Sequence, residues 1–231
     1  MQEHSKKVER FNRYSMQTVF ITGGTGYIGT RLIKALLADG NFHVKALVRK
    51  DSANKLPGGC EVVFGNALDQ TTYQNHILPA TIFVHLVGVA HPSPAKKKQF
   101  RKIDLVSVQQ AAEAASATGI RHFIYLSVAM YPTRIMKDFQ EVRAAGENLL
   151  IEKGLTCSFI RPWYVLGPGH WWPILLKPFY FIAKFIPSKR EAAKQLDTVS
   201  IAQMIRTLVH AIKDQPLATT VYDVAEIKKS K

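Results

Sequence analysis

The stretch Thr18-Val19-Phe20-Ile21-Thr22-Gly23-Gly24-Thr25-Gly26-Tyr27-Ile28-Gly29 decides the fold. Its first five residues are β-branched or aromatic, as strand residues are, and the rest sets glycines at 23, 26 and 29 in a GxxGxxG spacing. A helical pattern over 27–39 follows directly. A strand that turns tightly into a helix exposes the free N–H groups of the helix N-terminus, and glycine at the turn leaves no Cβ between backbone and ligand. This is the chemistry that holds a dinucleotide pyrophosphate. It calls for a tight turn, a bare backbone and close helix–strand packing, which Gly23, Gly26 and Gly29 supply, with Thr25, Tyr27 and Ile28 between and beside them.

Outward from that stretch, short β-branched runs alternate with longer helical patterns. The runs occupy 18–22, 43–49, 61–64, 81–87, 122–128 and 156–160 and carry few charges, as strands covered on both faces do. Helical patterns over 27–39, 70–77, 97–118 and 137–153 lie between them. Three of these run into Gly40, Gly119 and Gly154, each shortly before the next strand, as left-handed helix caps require. The pattern predicts an α/β fold: a doubly wound parallel Rossmann sheet with helices on both faces and a small C-terminal substrate-site extension. After Pro162 the alternation weakens into an aromatic segment, a helix near 199–213 and a short strand near 219–224. Residues 1–16 are expected to be a disordered basic leader, and 17–231 a single domain in which 162–215 form the substrate-side lid.

At the end of the second strand a dinucleotide fold usually carries an acid that holds the adenosine ribose. Here the sequence reads Leu47-Val48-Arg49-Lys50-Asp51. A guanidinium at Arg49, backed by Lys50, attracts a 2′-phosphate that a carboxylate would repel, so NADP(H) is favoured, while Asp51 keeps NAD(H) open.

Further motifs follow in a fixed order, and with them the sequence resembles the extended and atypical branches of the short-chain dehydrogenase/reductase superfamily, the NAD(P)-dependent epimerase/dehydratase-like proteins. Gly65-Asn66-Ala67-Leu68-Asp69 resembles the family's GDxxD, whose first acidic position contacts adenine; Asn66 stands in that place, with Ala67 beside it. His85-Leu86-Val87-Gly88 matches the HLAA-like end of the fourth strand, which implies that Leu86, Val87 and Gly88 line the cofactor. Tyr125-Leu126-Ser127-Val128 resembles the YLSS segment that bears the catalytic serine. Arg161-Pro162 through Gly167-Pro168-Gly169 resembles the RPxxVYGPG segment at the substrate entrance, with Pro162 at the cofactor.

The resemblance also exposes a departure. Active members carry Tyr-x-x-x-Lys on the helix after the fifth strand, the lysine lowering the phenol's pKa and holding the nicotinamide ribose. Alignment through Glu147 puts Phe139 at the tyrosine place and Arg143 at the lysine place. Phenylalanine transfers no proton, and an arginine can bind a ribose without acting as acid or base near neutral pH. Ser127 and Tyr131 are the leading replacement catalytic residues, with His91 and Tyr164 on the substrate side. The leading function is an oxidoreductase or epimerase-like enzyme acting on a partly apolar small molecule. The alternative is a non-catalytic NADP(H)-binding sensor or assembly protein.

Composition narrows the surroundings. The chain has 231 residues, with 31 Lys+Arg against 17 Asp+Glu for a net charge of +14. Its 47% apolar content is enough for a sizeable core. Cys60 and Cys157 lack the spacing of a disulfide framework or zinc site, so no metal is expected and a reducing, cytoplasmic setting fits. The leader has no apolar signal core, and the segment from Trp171 to Pro187 is broken by Lys177, Pro178 and Lys184, so no spanning helix is expected. Trp171 and Trp172 open this segment as a lid over the substrate, and their company of lysines also suits shallow contact with a membrane. Basic residues scattered through the leader, Lys96-Lys97-Lys98, Lys189-Arg190 and Lys228-Lys229 match no nucleic-acid-binding motif.

Overall fold

The computed structural model describes residues 16–133, 136–169 and 195–230. In chain order its strands are β1 (Gln17–Thr22), β2 (Phe42–Val48), β3 (Glu61–Phe64), β4 (Ile82–His85), β5 (His122–Leu126), β6 (Cys157–Ile160), β7 (Tyr164–Leu166), β8 (Thr198–Ser200) and β9 (Thr220–Tyr222). Seven of them form one parallel sheet in the order β3-β2-β1-β4-β5-β6-β9. The strand order reverses between β1 and β4, so a crevice opens beyond their carboxyl ends, where doubly wound sheets bind ligands.

The helices are α1 (Tyr27–Asp39), α2 (Lys97–Gln99, Phe100–Leu105 and Val106–Thr118, the middle part wound as a π-helix), α3 (Lys137–Glu152), α4 (Ile201–Asp214) and α5 (Val224–Lys229). Strand alternation sorts the core into two chemistries. Val19, Ile21, Val84, Ile124 and Ile160 point to one face, where Leu32, Ile33 and Leu36 of α1 and Met204, Leu208 and Ile212 of α4 cover them. Phe20, Phe83, Phe123 and Phe159 point to the other. Phe20, Phe83 and Phe123 are neighbours in register, with ring centroids 5.2 and 5.0 Å apart. This ladder packs against the small buried face of α2, Ala111, Ala112, Ala114 and Ala115, so large rings meet short side chains.

The structure refines several expectations. Gly40, Gly119 and Gly154 all sit at helix ends with φ of 77°, 70° and 71°, as read from the sequence. The 70–77 helix instead consists of two 3₁₀ turns, Gln70–Thr72 and Gln74–His76, broken where Tyr73 buries its ring in the aromatic layer. The two-stranded parallel pairing of β7 with β8 was not foreseen, nor was α5, which Asp223 caps by accepting from the N–H groups of Ala225 and Glu226. The leader, Trp171 and Trp172 lie outside the described residues. No helix among the described residues is long and apolar enough to cross a membrane.

Candidate cofactor and substrate site

The site is built on the carboxyl ends of β1, β4, β5 and β6. After β1, Gly23 takes φ +78°, and a Cβ there would press within 2.8 Å of the Leu86 carbonyl carbon. Gly29 packs so closely on the turn that any Cβ would overlap the Gly23 carbonyl oxygen. The Gly26 N–H closes the turn onto Gly23 O at 3.0 Å, and Gly26 then serves as the N-cap of α1 with no side-chain capping bond. The N-terminal end of the α1 dipole thus points at the glycine turn, an arrangement that suits an anion. Arg31, one turn in, lies with its Cζ 4.0 Å over the Tyr27 ring and donates to Tyr27 O at 2.8 Å. Sequence reasoning passed over this cation, although its i,i+4 spacing from Tyr27 signals it. Thr25, Tyr27 and Ile28 are half-buried around the turn.

The residues expected on the adenosine side lie just beyond β2 and β3. Arg49 and Lys50 are exposed just beyond Val48, and Arg49 O accepts the Ser52 N–H at 2.9 Å, fixing the turn that displays them. Asn66, after β3, is exposed; its Oδ1 accepts the Leu68 N–H at 3.1 Å and its own N–H donates to Thr72 Oγ1 at 2.9 Å. Ala67 is half-buried beside it.

Beyond β4 the loop through Leu86, Val87 and Gly88 is held from below. Asp104, in the π-wound part of α2, is fully buried and pairs with Arg143 of α3 at 2.6 Å. Its second oxygen accepts the Val89 N–H at 3.1 Å. Arg143 also donates to Leu126 O at 2.8 Å and Val87 O at 3.4 Å, so one guanidinium ties together the ends of β4 and β5. Gly88 has to be glycine here, because a Cβ would overlap Arg143 Nη2. Burial raises the Asp104 carboxyl above its ordinary range, and Arg143 pulls it partly back.

A second buried chain runs alongside. His85 bridges Thr22 Oγ1 at 2.8 Å and Ser107 Oγ at 3.2 Å, while Ser107 donates to Asp104 O at 3.1 Å. With the Ser107 proton spent on that carbonyl, His85 Nε2–H donates to Ser107 and Thr22 donates to Nδ1. Burial, then the nearby Arg143 charge, holds His85 down to about 3, so it is a neutral tie between β1, β4 and α2.

Phe139, at the place of the usual catalytic phenol, is absorbed into an apolar cluster with Phe100, Val128 and Val142. Its ring lies 4.9 Å from that of Phe100 and 5.2 Å from Arg143 Cζ. In this arrangement neither Phe139 nor Arg143 offers a mobile proton. Ser127, directly after β5, is buried, and its Oγ finds no hydrogen-bond partner among the described residues. Tyr131 lies farther along that loop, where Gln140 anchors the backbone by donating to Ala129 O and Tyr131 O, both at 2.7 Å.

Tyr131 lines a cleft of about 340 Å³ together with Ala129, Met130, Pro132, Arg161, Gln195, Val221 and Asp223. Arg161 is held there by a bidentate pair with buried Glu147. Pro162 is buried next to it, and Tyr164 and the exposed His91, whose φ is +49°, stand on the same carboxyl-end side. Gly167 packs against the Tyr27 hydroxyl and Ile201, joining the substrate-entrance segment to the glycine turn. Among the described residues no cluster of ligating side chains suits a metal. The bare glycine turn, the uncapped α1 and the cations beyond β2 fit a nicotinamide dinucleotide.

Comparison with known proteins agrees. The family model described as NAD(P)H-binding matches residues 23–166. Among curated proteins, the chain is 28% identical over 153 residues to a ceramide reductase of Caulobacter vibrioides, covering 65% of this chain and 47% of that protein. It is 27% identical over 181 residues to a UDP-glucose 4-epimerase of Vibrio cholerae, covering 68% and 55%. The chain thus spans about half the length of these relatives. Among solved structures, the Bordetella bronchiseptica enzyme WbmH in complex with NAD+ shares the fold with a TM-score of 0.67 at 21% identity, over 90% of this chain and 75% of that one. Turn, sheet and family model converge: the chain belongs to the NAD(P)H-binding family and is an atypical member of the short-chain dehydrogenase/reductase superfamily.

Proposed function

We propose that this protein is an NADP(H)-dependent oxidoreductase acting on a small, partly apolar molecule. The observation that carries the cofactor choice is the exposed Arg49–Lys50 pair beyond β2, where an NAD-specific site would present a carboxylate. When bound, the dinucleotide supplies or accepts the hydride. The chain's own contribution is positional: α1 faces the pyrophosphate, the Asp104–Arg143 pair fixes the 86–89 loop, and Gln140 fixes the loop that carries Ser127 and Tyr131. In this reading Ser127 Oγ or the Tyr131 phenol hands a proton to a carbonyl oxygen, the role Phe139 cannot fill. Relatives named for ceramide reduction and for reduction of a farnesylated quinoline oxide support an amphiphilic substrate.

Parallel titration with NADPH and NADH, followed by a panel of carbonyl, enone and quinone compounds, tests this directly. NADPH should bind more tightly than NADH, and Arg49→Asp should move the preference towards NADH; equal preference in both proteins would remove Arg49 from the site. Binding without oxidation by any panel member would overturn the oxidoreductase reading.

A further inference from the structure

Four cations share one exposed face at the start of α2. Lys97 and Arg101 are four residues apart, as are Lys98 and Lys102, and all four side chains are exposed. None has a carboxylate within ion-pair distance among the described residues, whereas Lys137, Lys153, Lys213, Lys228 and Lys229 each do. The arrangement works against the helix twice. Like charges four residues apart repel, and cations at a helix N-terminus oppose its dipole. Nothing in the fold requires either, so a negative partner from outside is the natural complement.

The face also has a definite place. Lys96, the residue before it, donates through Nζ to Ala90 O at 2.6 Å and His91 O at 3.1 Å, which ties the cationic face to the loop leaving β4 at the ligand-binding end of the sheet. We infer that Lys97, Lys98, Arg101 and Lys102 dock the protein on an anionic lipid bilayer, with the substrate cleft turned towards the membrane. Four point charges on a convex helix face suit the diffuse charge of a headgroup layer. Phe100, the aromatic residue among them, is buried, so the face lacks the interleaved stacking rings of a single-stranded nucleic-acid track. The chain leaves the described residues at Gly169 and returns at Gln195 in the cleft wall, and the sequence between carries Trp171 and Trp172 with apolar residues interrupted by Lys177 and Lys184, an interfacial composition. This face stands independently of the catalytic assignment.

The test is co-sedimentation of the full chain with phosphatidylcholine vesicles containing or lacking phosphatidylglycerol, at physiological salt. The protein should partition to the anionic vesicles alone. Replacing Lys97, Lys98, Arg101 and Lys102 by Gln should lower that partitioning by about a hundredfold or more, since each cation near such a surface is worth about fivefold. NADPH affinity should be unchanged and the melting temperature unchanged or higher, because repulsion is relieved. A control removing four distant cations, Lys34, Lys55, Arg121 and Lys229, should lose far less. The pairs Lys97→Gln/Arg101→Gln and Lys98→Gln/Lys102→Gln carry the same test with smaller perturbation. The proposal is overturned if the protein ignores anionic vesicles, if the control loses as much as the face variant, or if single-stranded RNA binds through this face more tightly than the vesicles do.

Discussion

Arg143→Met strikes the floor of the cofactor site, and its consequences can be worked out from the contacts of Asp104. That carboxylate is fully buried and accepts from Arg143 Nη2 at 2.6 Å and from the Val89 N–H at 3.1 Å. Without the guanidinium it keeps a single backbone donor in a low-dielectric surrounding, and breaking a buried pair from one side costs about 3–5 kcal/mol. The carboxyl can escape by taking a proton. Burial already raises it, and loss of Arg143 raises it further. A carboxyl whose folded value lies above its unfolded one contributes fully below the unfolded value, near pH 4, and that contribution is lost as pH rises through the folded value. The penalty of Arg143→Met should therefore be smallest at acid pH, where the carboxyl is protonated in both proteins, and grow by about 1.4 kcal/mol per pH unit only between the folded value of the native protein and the higher one of the variant. Urea denaturation at a series of pH values, with native m-values as the check on two-state behaviour, measures it. Adding Asp104→Asn should recover much of the loss, because the amide still accepts from Val89 and carries no charge. A single-variant cost below about 1 kcal/mol, flat with pH, would show that this pair does not hold the loop beyond β4.

Three further outcomes follow from the same geometry. Gly29→Ala drives a Cβ into the Gly23 carbonyl oxygen, so dinucleotide binding should fall below detection in calorimetry while the far-ultraviolet spectrum is kept; intact binding would mean the turn relaxes freely. Ser127→Ala removes a buried hydroxyl without a described partner, so stability should hold or rise by up to about 1 kcal/mol while turnover is lost; a marked destabilisation would instead give the hydroxyl a structural bond. His85 and His122 are held down to about 3 and about 4, chiefly by burial, so the unfolded chain gains protons first as pH falls from about 6.5. Stability should drop by roughly 1.4 kcal/mol per pH unit for each of them between pH 6 and 5; removing both histidines must flatten that slope, or other groups are responsible.

The glycine turn was legible because its chemistry is local: strand, bare backbone and helix start lie within twelve consecutive residues, 18–29. The sheet was legible because β-branched runs and helix caps repeat. Asp104 was missed although it left a trace. Phe100, Asp104, Ser107, Val108 and Ala111 mark the buried stripe of α2, and an acid on such a stripe calls for a buried cation. What no local pattern could give was the identity of that cation, since Arg143 reaches it from another helix. The β7–β8 pairing escaped for a different reason: three residues per strand leave no periodicity to read. The cationic face on α2 was obscured by treating Lys96-Lys97-Lys98 as one run among several, because only the helical spacing brings Arg101 and Lys102 to its side.

The β7–β8 pairing has a bearing on how such a scaffold diversifies. Tyr164, Val165 and Leu166 lie in parallel register with Thr198, Val199 and Ser200, and the Arg161 N–H bonds to Tyr222 O at 2.8 Å. The two ends of the stretch joining Leu166 to Thr198 are thus held side by side. Because closure entropy grows only with the logarithm of length, doubling that stretch costs about 0.6 kcal/mol. Descendants of this architecture can lengthen, shorten or exchange it to suit new molecules while the sheet below keeps its register.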